Sequence, residues 1–600
     1  MSESPKAPIP TDLTERYELV RAHAVAFRPD QAKYAASKLP PRHAAHPYSL
    51  AIRGLLEWSA HRFPSAVAAL RQAVALLPAD RTLRTDLAEM LWASGDQPAS
   101  AAELHALHEL NPADRAVISL LADRLHRMNL SHLAYAYARK LIDLDPHSAD
   151  SQFILAYRAA DLRRYDESLR HFTTAGTLLP ADDRFGQGRF FVMLYAGTDP
   201  LELRRASESW CAAAYAHIPE GKPNPSRGNR IRIGVVSADL RNHVVASFFE
   251  GVLREYDHAA AHFEIFSNTD MPDHVTTRIA ATVDAFHNIH PLSDDAATEL
   301  IRSRNIDVLI DLAGHTGGSR LGIFARRAAP VQATYLGYPA TTGLPQMDYR
   351  ITDAIADPPP DYPGRAGEHC TEKLIRLPRC AWAFSLDGSL PAPADLGPGP
   401  SARGGPLTFG SFNLLTKVNQ ASVSLWARAL AVSPGSKLLM TDRRALLADP
   451  DAVQLLRDEF ASGHADLNHV MLANWLPKTE DQRSRLSHID LMLDPLSYNG
   501  TTTTCEALWY GIPTLTLPGA SHVSRVGASL LTAIGLENFI ATSEADFISK
   551  SAALVADPTA LHTLRSTLHA RYRASPLHDF KSLAAALVTA CNQMLDAHRR

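Results

Sequence analysis

The sequence predicts a chain in two parts: an all-α array of paired helices, then two parallel α/β units facing each other across a cleft. Three observations carry this. Prolines recur at Pro78, Pro112, Pro146 and Pro180, 34 residues apart each time. From Ile231 onward short apolar runs alternate with helical segments, the pattern of an open parallel sheet. A proline- and glycine-rich stretch at about 389–406 then divides the second part in two.

The repeat has more than its prolines. Each closes a Leu-Pro-Ala-Asp, Asn-Pro-Ala-Asp or Asp-Pro-His-Ser phrase. A small residue stands 24 positions before each one (Gly54, Ala88, Ala122, Ala156) and another 12 before (Ala66, Ser100, Ala134, Ser168). Small residues at both places let paired helices approach closely, and the proline stops the second helix. A 34-residue period with this pattern resembles the tetratricopeptide repeat. On this reading residues 1–46 form an N-terminal helical cap and 47–217 the repeat domain, with four repeats over about 47–182. Such an array offers a concave groove to a protein segment. A purely structural or dimerising role is the alternative.

A linker is expected near 218–229, Pro-Glu-Gly-Lys-Pro-Asn-Pro-Ser-Arg-Gly. Strands are expected at Ile231–Ser237, Phe263–Phe266, Val308–Leu312 and Val331–Leu336, and a second unit opens with Leu407–Phe412. The boundaries become 229–395 for the first unit and 405–575 for the second. Residues 576–600 form a final amphipathic helix that should pack back on the first unit. Ligands of such sheets sit at the carboxyl ends of the strands.

The most informative stretch is 497–513, Ser-Tyr-Asn-Gly-Thr-Thr-Thr-Thr-Cys-Glu-Ala-Leu-Trp-Tyr-Gly-Ile-Pro. It follows an apolar strand (Ile489–Leu493), opens a helix and precedes a second strand (Thr514–Leu517) and a Gly-Ala-Ser-His loop. A small-residue turn at a helix start leaves backbone N–H groups pointing outward, with the positive end of the helix dipole behind them. Asn499 and Gly500 make the turn, and Thr501, Thr502 and Thr503 add hydroxyls. Glu506, one turn on, is placed to accept bonds from both hydroxyls of a ribose. The segment suits a nucleotide diphosphate; for the threonines alone, a turn with an N-cap is the plainer account.

Composition sets ordinary bounds. Six hundred residues imply several domains, and 46% apolar residues imply a globular chain. A net charge of −4 gives no general argument for nucleic acid or membrane, and no apolar run is long enough to span a bilayer. The five cysteines lack Cys-x-x-Cys spacing, so neither a zinc site nor a disulfide framework is indicated. The N-terminus lacks the features of a secretory signal, and a cytoplasmic protein is expected.

A family resemblance rests on collinear motifs: Ser237–His243, Ala313–Thr316, Ala329–Ala333, Leu336–Pro339, Met347–Asp353, Gly410–Asn413 with Lys417, and the Asn-Gly-Thr-Thr-Thr-Thr-Cys-Glu segment. Together with the repeats they resemble the protein O-linked N-acetylglucosamine transferase and SPINDLY family. The strand, anion-binding turn, helix, Gly-x-Pro, strand order likewise resembles the donor site of GT-B glycosyltransferases, so the fold implied is a tetratricopeptide superhelix followed by two Rossmann-like GT-B lobes. The activity implied is metal-independent, inverting transfer of a sugar from a nucleotide donor to serine or threonine of proteins, with no cofactor.

The resemblance also implies roles. Lys417 matches the lysine that contacts the donor diphosphate, and His243 matches a histidine beside acceptor and sugar whose role as general base is disputed. Thr501, Thr502 and Thr503 match the phosphate-binding turn, Glu506 the ribose-binding acid, Leu336 and Gly337 a loop near the donor sugar, and Arg485 an arginine near the base. His315 joins them as a donor-side residue. Each has a plainer account: a capping histidine for His243, a surface charge for Lys417, a strand-end packing residue for His315. Thr501, Leu414 and Glu506 depart from the animal enzymes, which carry histidine, glutamine and aspartate there. The Thr-Thr-Thr-Thr-Cys-Glu run and the Thr341–Pro345 phrase are closer to SPINDLY, whose plant members use GDP-fucose. UDP-N-acetylglucosamine is the leading donor and GDP-fucose the second. A non-catalytic repeat scaffold, or a small-molecule nucleotide-sugar enzyme such as an epimerase, completes the alternatives.

Overall fold

A computed structural model of the chain describes residues 12–26, 28–37, 45–180, 182–223, 228, 230–361, 369–386, 396–442, 450–474 and 484–600. The proline-rich stretches at 224–227 and 387–395 lie outside the described residues. The chain divides into two compact units, Met1–Arg158 and Ala159–Arg600.

The first unit is a stack of helix pairs: α1 (Leu13–Val25) with α2 (Pro29–Ala36), α3 (Pro47–Ser59) with α4 (Phe63–Leu76), α5 (Arg81–Ala93) with α6 (Gln97–Leu110), and α7 (Arg115–Arg127) with α8 (Ser131–Leu144). The division between the units falls within α9 (Ala149–Asp161). The repeated phrases work as punctuation. Pro78 and Pro112 stand two residues past the ends of α4 and α6. The aspartate two residues further on caps the next helix: Asp80 accepts from the Leu83 N–H at 2.9 Å and Asp114 from the Ala116 N–H at 3.1 Å. Each such cap contributes about 1 kcal/mol. The small residues meet as their spacing requires. The Ser100 hydroxyl donates to the Ala88 carbonyl at 2.7 Å, and a Cβ on Gly54 would lie 3.1 Å from the Ala66 carbonyl oxygen.

The second unit opens with α10 (Tyr165–Leu178), α11 (Asp183–Ala196) and α12 (Pro200–Tyr215). Two parallel sheets follow. The first lobe holds β1 (Ile231–Ser237), β2 (Ala261–Ser267), β3 (Ala285–Asn288), β4 (Val308–Asp311), β5 (Val331–Thr334), β6 (Tyr349–Asp353) and β7 (Lys373–Leu377) in the order β3-β2-β1-β4-β5-β6-β7. Its helices are α13 (Val244–Glu255), α14 (His274–Thr282), α15 (Asp294–Ser303) and α16 (Leu321–Ala325). The second lobe holds β8 (Thr408–Ser411), β9 (Lys437–Asp442), β10 (Val470–Asn474), β11 (Leu491–Leu493) and β12 (Thr514–Leu515) in the order β10-β9-β8-β11-β12. Its helices are α17 (Gln420–Ala431), α18 (Pro450–Ser462), α19 (Thr502–Trp509), α20 (Val526–Ala533), α21 (Glu544–Ala556) and α22 (Thr559–Arg573). In both sheets the central strands are largely buried on both faces, as parallel strands covered by helices must be. The terminal helix α23 (Phe580–Arg599) returns to the first lobe against α13, β1, β5 and β7. The strand order reverses next to β1 and next to β8, and the crevice outside those carboxyl ends is where a ligand belongs.

The helices α11 and α12 are built into this unit rather than hung on it. The Cys211 thiol on α12 donates to the Thr342 carbonyl at 3.2 Å, and Phe190, Met193, Leu194 and Leu203 share a core with Tyr338 and Val523. Gly343 sits at φ +71°, and a Cβ there would lie 2.4 Å from the Ser207 carbonyl carbon of α12. Left-handed backbone and a backbone collision combine at this position. Gly343→Ala should therefore destabilise the second unit by about 2–4 kcal/mol, read as a lower urea unfolding midpoint. Gly317→Ala, where an added Cβ meets nothing within 4 Å, should leave the midpoint unchanged.

Candidate active site

A cavity of about 180 Å³ lies where the carboxyl ends of both sheets converge. Each wall comes from a segment that follows a strand. Val244, Val245 and Phe248 stand at the start of α13, after β1, and Leu336, Gly337 and Pro339 follow β5. Trp382 follows β7, Lys417 follows β8, Tyr498 and Thr501–Thr503 follow β11, and His522 and Val526 follow β12.

The turn after β11 is folded by a buried carboxylate. Asp494 accepts from the Gly500 N–H at 2.7 Å and from the Thr516 hydroxyl at 2.9 Å. Asn499 donates through Nδ2 to the Pro495 carbonyl at 2.7 Å and accepts from the Gly527 N–H at 3.1 Å. Asn499 and Gly500, read from sequence as donor-binding, thus do not line the cavity; they shape the turn that presents the threonines. Thr501 stands at the N-cap of α19 with no side-chain cap bond, and Thr501, Thr502 and Thr503 all face the cavity. Among the described residues Thr501 makes no side-chain cap bond, so the helix N-terminus can take an anion.

Lys417 ends a 3-10 turn, Leu415–Lys417, and its Nζ lies 4.2 Å from the centre of the Tyr498 ring. It makes no ion pair among the described residues. Burial pulls its pKa down to about 8, against the opposing charge of Asp494. Burial pushes Asp494 up to about 7, against its hydrogen bonds and Lys417. A cation held by a π face and distant charge, beside a helix start with free donors, is arranged to receive a diphosphate.

The main chain on both sides of Lys417 is braced from α10 and the residues before it. Arg163, itself buried, donates through Nε to the Val418 carbonyl at 2.7 Å and pairs with the half-buried Glu459 at 2.8 Å. The Tyr165 hydroxyl donates to the Thr416 carbonyl at 3.0 Å. Nothing in the sequence pattern marked these two residues, because their partners lie some 250 positions away.

The loop after β5 is strained. Leu336 adopts φ +65°, and a Cβ on Gly337 would lie 1.9 Å from the Leu312 carbonyl oxygen. Only glycine fits there, so the Leu336–Gly337 pair is held hard against the end of β4 with Leu336 turned into the cavity.

The remaining expected residues are placed differently. His243 caps α13, its Nδ1 accepting from the Val245 N–H at 3.3 Å with Asp239 at 3.6 Å, and burial lowers its pKa against the pull of Asp239. With Nδ1 accepting, the neutral ring carries its proton on Nε2. It lines a neighbouring cavity of about 350 Å³ with Arg241, Glu250, Arg254 and Arg278, while Val244 and Val245 face the first cavity. The capping account therefore holds, and the cavity that His243 lines is built from first-lobe residues. His315 is fully buried, its Nε2 2.7 Å from the Thr342 carbonyl and its ring among Phe190, Trp210 and Tyr338. It does not reach the cavity; aromatic packing at the end of β4 claims it, as its strand-end position allowed. Glu506 lies one turn into α19 and Arg485 opens the 3-10 turn before β11; neither lines the cavity. Trp382, Tyr498 and His522 line it without having been expected. The Gly-Ala-Ser-His loop after β12 was the available signal for His522, since it follows a parallel strand.

If the brace on Lys417 matters, Tyr165→Phe, which removes one hydroxyl and no packing, should weaken binding of a nucleoside diphosphate about fivefold. Calorimetry on the intact chain checks this, with an unchanged melting temperature as the control.

Comparison with known proteins agrees with this geometry. The model for the family described as Glycosyl transferase family 41 matches residues 211–383 and 404–587. A probable UDP-N-acetylglucosamine–peptide N-acetylglucosaminyltransferase SPINDLY from Oryza sativa subsp. japonica is 34% identical over 428 residues, 69% of this chain and 45% of that protein. A probable transferase of the same description, SEC from Arabidopsis thaliana, is 31% identical over 63% of this chain and 39% of its own length. The chain thus spans less than half the length of these plant relatives. A variant of the Thermobaculum terrenum O-GlcNAc transferase matches in structure with a TM-score of 0.76 at 30% identity, covering 90% of this chain and 99% of that one. With tetratricopeptide helices leading into two GT-B lobes, and a family match across more than half its length, the chain belongs to glycosyl transferase family 41.

Proposed function

We propose that this chain transfers a sugar from a nucleotide donor to serine or threonine hydroxyls of proteins, with inversion at the anomeric carbon and no metal requirement. The observation that carries the reading is the cation of Lys417 facing the free threonine hydroxyls and N-terminus of α19 in one cavity between the lobes. In this reading the acceptor hydroxyl oxygen attacks the anomeric carbon, its proton passing to water or to the departing diphosphate, and the bond from that carbon to the diphosphate oxygen breaks on the opposite side. The electron pair leaves with the nucleoside diphosphate. Lys417 and the α19 start neutralise the charge that develops there, the role a metal would otherwise fill. Positioning by the strained Leu336–Gly337 loop supplies the rest.

UDP-N-acetylglucosamine is the donor proposed first, supported by the descriptions of the Oryza and Arabidopsis relatives. Thr501, which faces the cavity, favours GDP-fucose as the second reading through the likeness of its turn to SPINDLY. The repeat helices are proposed to recruit the protein acceptor in their groove, or to pair two copies of the chain. A cytoplasmic location is supported by five buried cysteines that are all free thiols. Among the described residues no helix is long and apolar enough to cross a membrane.

Calorimetry with UDP, GDP, UDP-N-acetylglucosamine and GDP-fucose decides the donor, and labelled sugar appearing in protein decides the acceptor class. Selective GDP binding would replace the first donor with the second, and label confined to soluble sugar would sink the protein-acceptor reading. Lys417→Ala should lower transfer about 10²–10³-fold, the range for removing one preorganised electrostatic group.

The pH profile follows from the same lysine. Its ammonium is the working form, and with a pKa of about 8 it is lost as pH rises past that value. kcat/KM, which reports the free enzyme, should therefore fall on the alkaline side of about pH 8. In Lys417→Arg, whose guanidinium stays charged, any residual activity should lack that alkaline limb. A wild-type profile that stays flat to pH 10 would refute the role given to Lys417.

A further inference from the structure

His522 stands on the second lobe in the loop after β12, lines the cavity, and is nearly closed off from solvent, with 9% of its side chain exposed. Its Nδ1 lies 2.6 Å from Oδ2 of Asp357, which belongs to the first lobe. The same carboxylate oxygen accepts from the Thr352 hydroxyl at 2.7 Å. The Trp382 ring lies 5.7 Å away, centre to centre. No hydrogen bond to a described residue engages Nε2 of His522.

The charge state follows from the neighbours. The charged groups bearing on the imidazole are Arg350 and Asp353 on β6 and Asp357 beyond it, and Lys417 shares the cavity. Burial pulls the His522 pKa down, reinforced by Arg350 and opposed by Asp357 and Asp353. Burial pushes Asp357 up, but His522, Arg350 and the Thr352 hydroxyl hold it well below the usual carboxylate range. The imidazole is neutral, its proton is on Nδ1 facing the carboxylate, and Nε2 keeps its lone pair.

That lone pair is unlike the other polar side-chain groups of the cavity. Lys417 and the Trp382 indole N–H can only donate, and the hydroxyls of Thr501–Thr503 and Tyr498 can donate or accept. Nε2 of His522 can only accept. The donors suit an anion; the lone acceptor needs a ligand group bearing its own proton, set against the apolar wall of Phe248, Leu336 and Trp382. Resting on the nucleotide-sugar reading above, we propose that His522, oriented by Asp357, accepts a hydrogen bond from a hydroxyl of the donor's sugar and so lets the site distinguish a nucleotide sugar from the bare nucleoside diphosphate.

The test is calorimetry on the full chain with matched pairs of probes, UDP against UDP-N-acetylglucosamine and GDP against GDP-fucose, in wild type, His522→Phe, His522→Gln and Asp357→Asn. In His522→Phe the affinity for the bound nucleotide sugar should fall about tenfold relative to its nucleoside diphosphate, since a protonated hydroxyl is left facing an apolar ring. His522→Gln, whose amide oxygen accepts, should restore most of that ratio. In Asp357→Asn the amide can donate to Nδ1 and move the ring proton to Nε2, so the ratio should fall with the histidine still present. Equal weakening of both probes in His522→Phe would show a merely structural residue and overturn the proposal. An unchanged ratio with collapsed turnover would overturn it in favour of proton abstraction from the acceptor hydroxyl. Failure of the wild type to bind any of the four probes would overturn the donor reading itself, whereas intact transfer with an unchanged ratio in every variant would overturn this proposal alone.

Discussion

The buried carboxylate of Asp494 is the constraint on which the site depends. It stands at the carboxyl end of β11 with 1% of its surface exposed, and it ties the Gly500 amide and the Thr516 hydroxyl to one point. That single anchor joins the ends of β11 and β12, bends the chain back at Gly500, and sends α19 off with its first amides facing the cavity. A Cβ on Gly527 would come within 2.2 Å of the same carboxylate, so α20 also packs against it with no space to spare. The anchor acts at a distance too. Asp494 supports the positive charge of Lys417 without pairing with it, so the lysine stays a cation yet keeps its hydrogen-bond capacity for a ligand. A direct ion pair would have stabilised the lysine more and left it less to offer.

A cleft between two sheets works only if its walls keep their distance, and the lobes are joined at several short contacts close to the cavity. The Ser529 hydroxyl donates to Asp353 at 2.6 Å, Arg525 donates to the Ile355 carbonyl at 2.9 Å, and His522 meets Asp357. All three pair the segment after β12 with the end of β6. Further out, α23 carries the end of the chain back across to α13, where the Phe580 ring lies so close to Gly251 that no Cβ would fit. The lobe interface and the cavity wall are therefore the same residues in part, and a change that loosens one loosens the other.

How much of this was legible in the sequence depends on the range of the interaction involved. The 34-residue prolines and the Ala-Asp phrases that follow them act on their own helix ends, so the repeat boundaries could be read from local chemistry. The strands marked by apolar runs were legible for the same reason, though the runs at Val331–Leu336 and Thr514–Leu517 overshot, and β3, β6, β7, β9 and β10 were not anticipated. Lys417, singled out by its place after Gly410–Asn413, and Thr501–Thr503, singled out by their place at a helix start, all line the cavity. Asn499 and Gly500 stand in the turn as expected but do not line the cavity: a turn residue and a ligand residue look alike until the partner of the side chain is known. His315 failed for a related reason, since a polar residue at a strand end is equally suited to a cleft or to a cage of aromatics. Arg163, Tyr165 and Asp357 had no local signature, because each acts on a main chain or side chain brought near only by the fold.

The two histidines near the cleft show how backbone context sets chemistry more firmly than residue type. In His243 an amide N–H of the helix start occupies Nδ1, so the ring presents an N–H. In His522 a carboxylate occupies Nδ1, so the ring presents a lone pair. Two of the three positions that set this chain apart from animal relatives, Leu414 and Thr501, can be separated on the same grounds. Leu414 precedes the turn that carries Lys417 and does not line the cavity, whereas Thr501 does. A leucine outside the cavity cannot contact the ligand and can act only through the placement of Lys417, which Arg163 and Tyr165 already hold from outside. Thr501 changes what the ligand touches, a hydroxyl where a ring would stand. Of these two departures, only Thr501 stands on the cavity wall, where its hydroxyl can donate or accept, unlike the lone acceptor at His522.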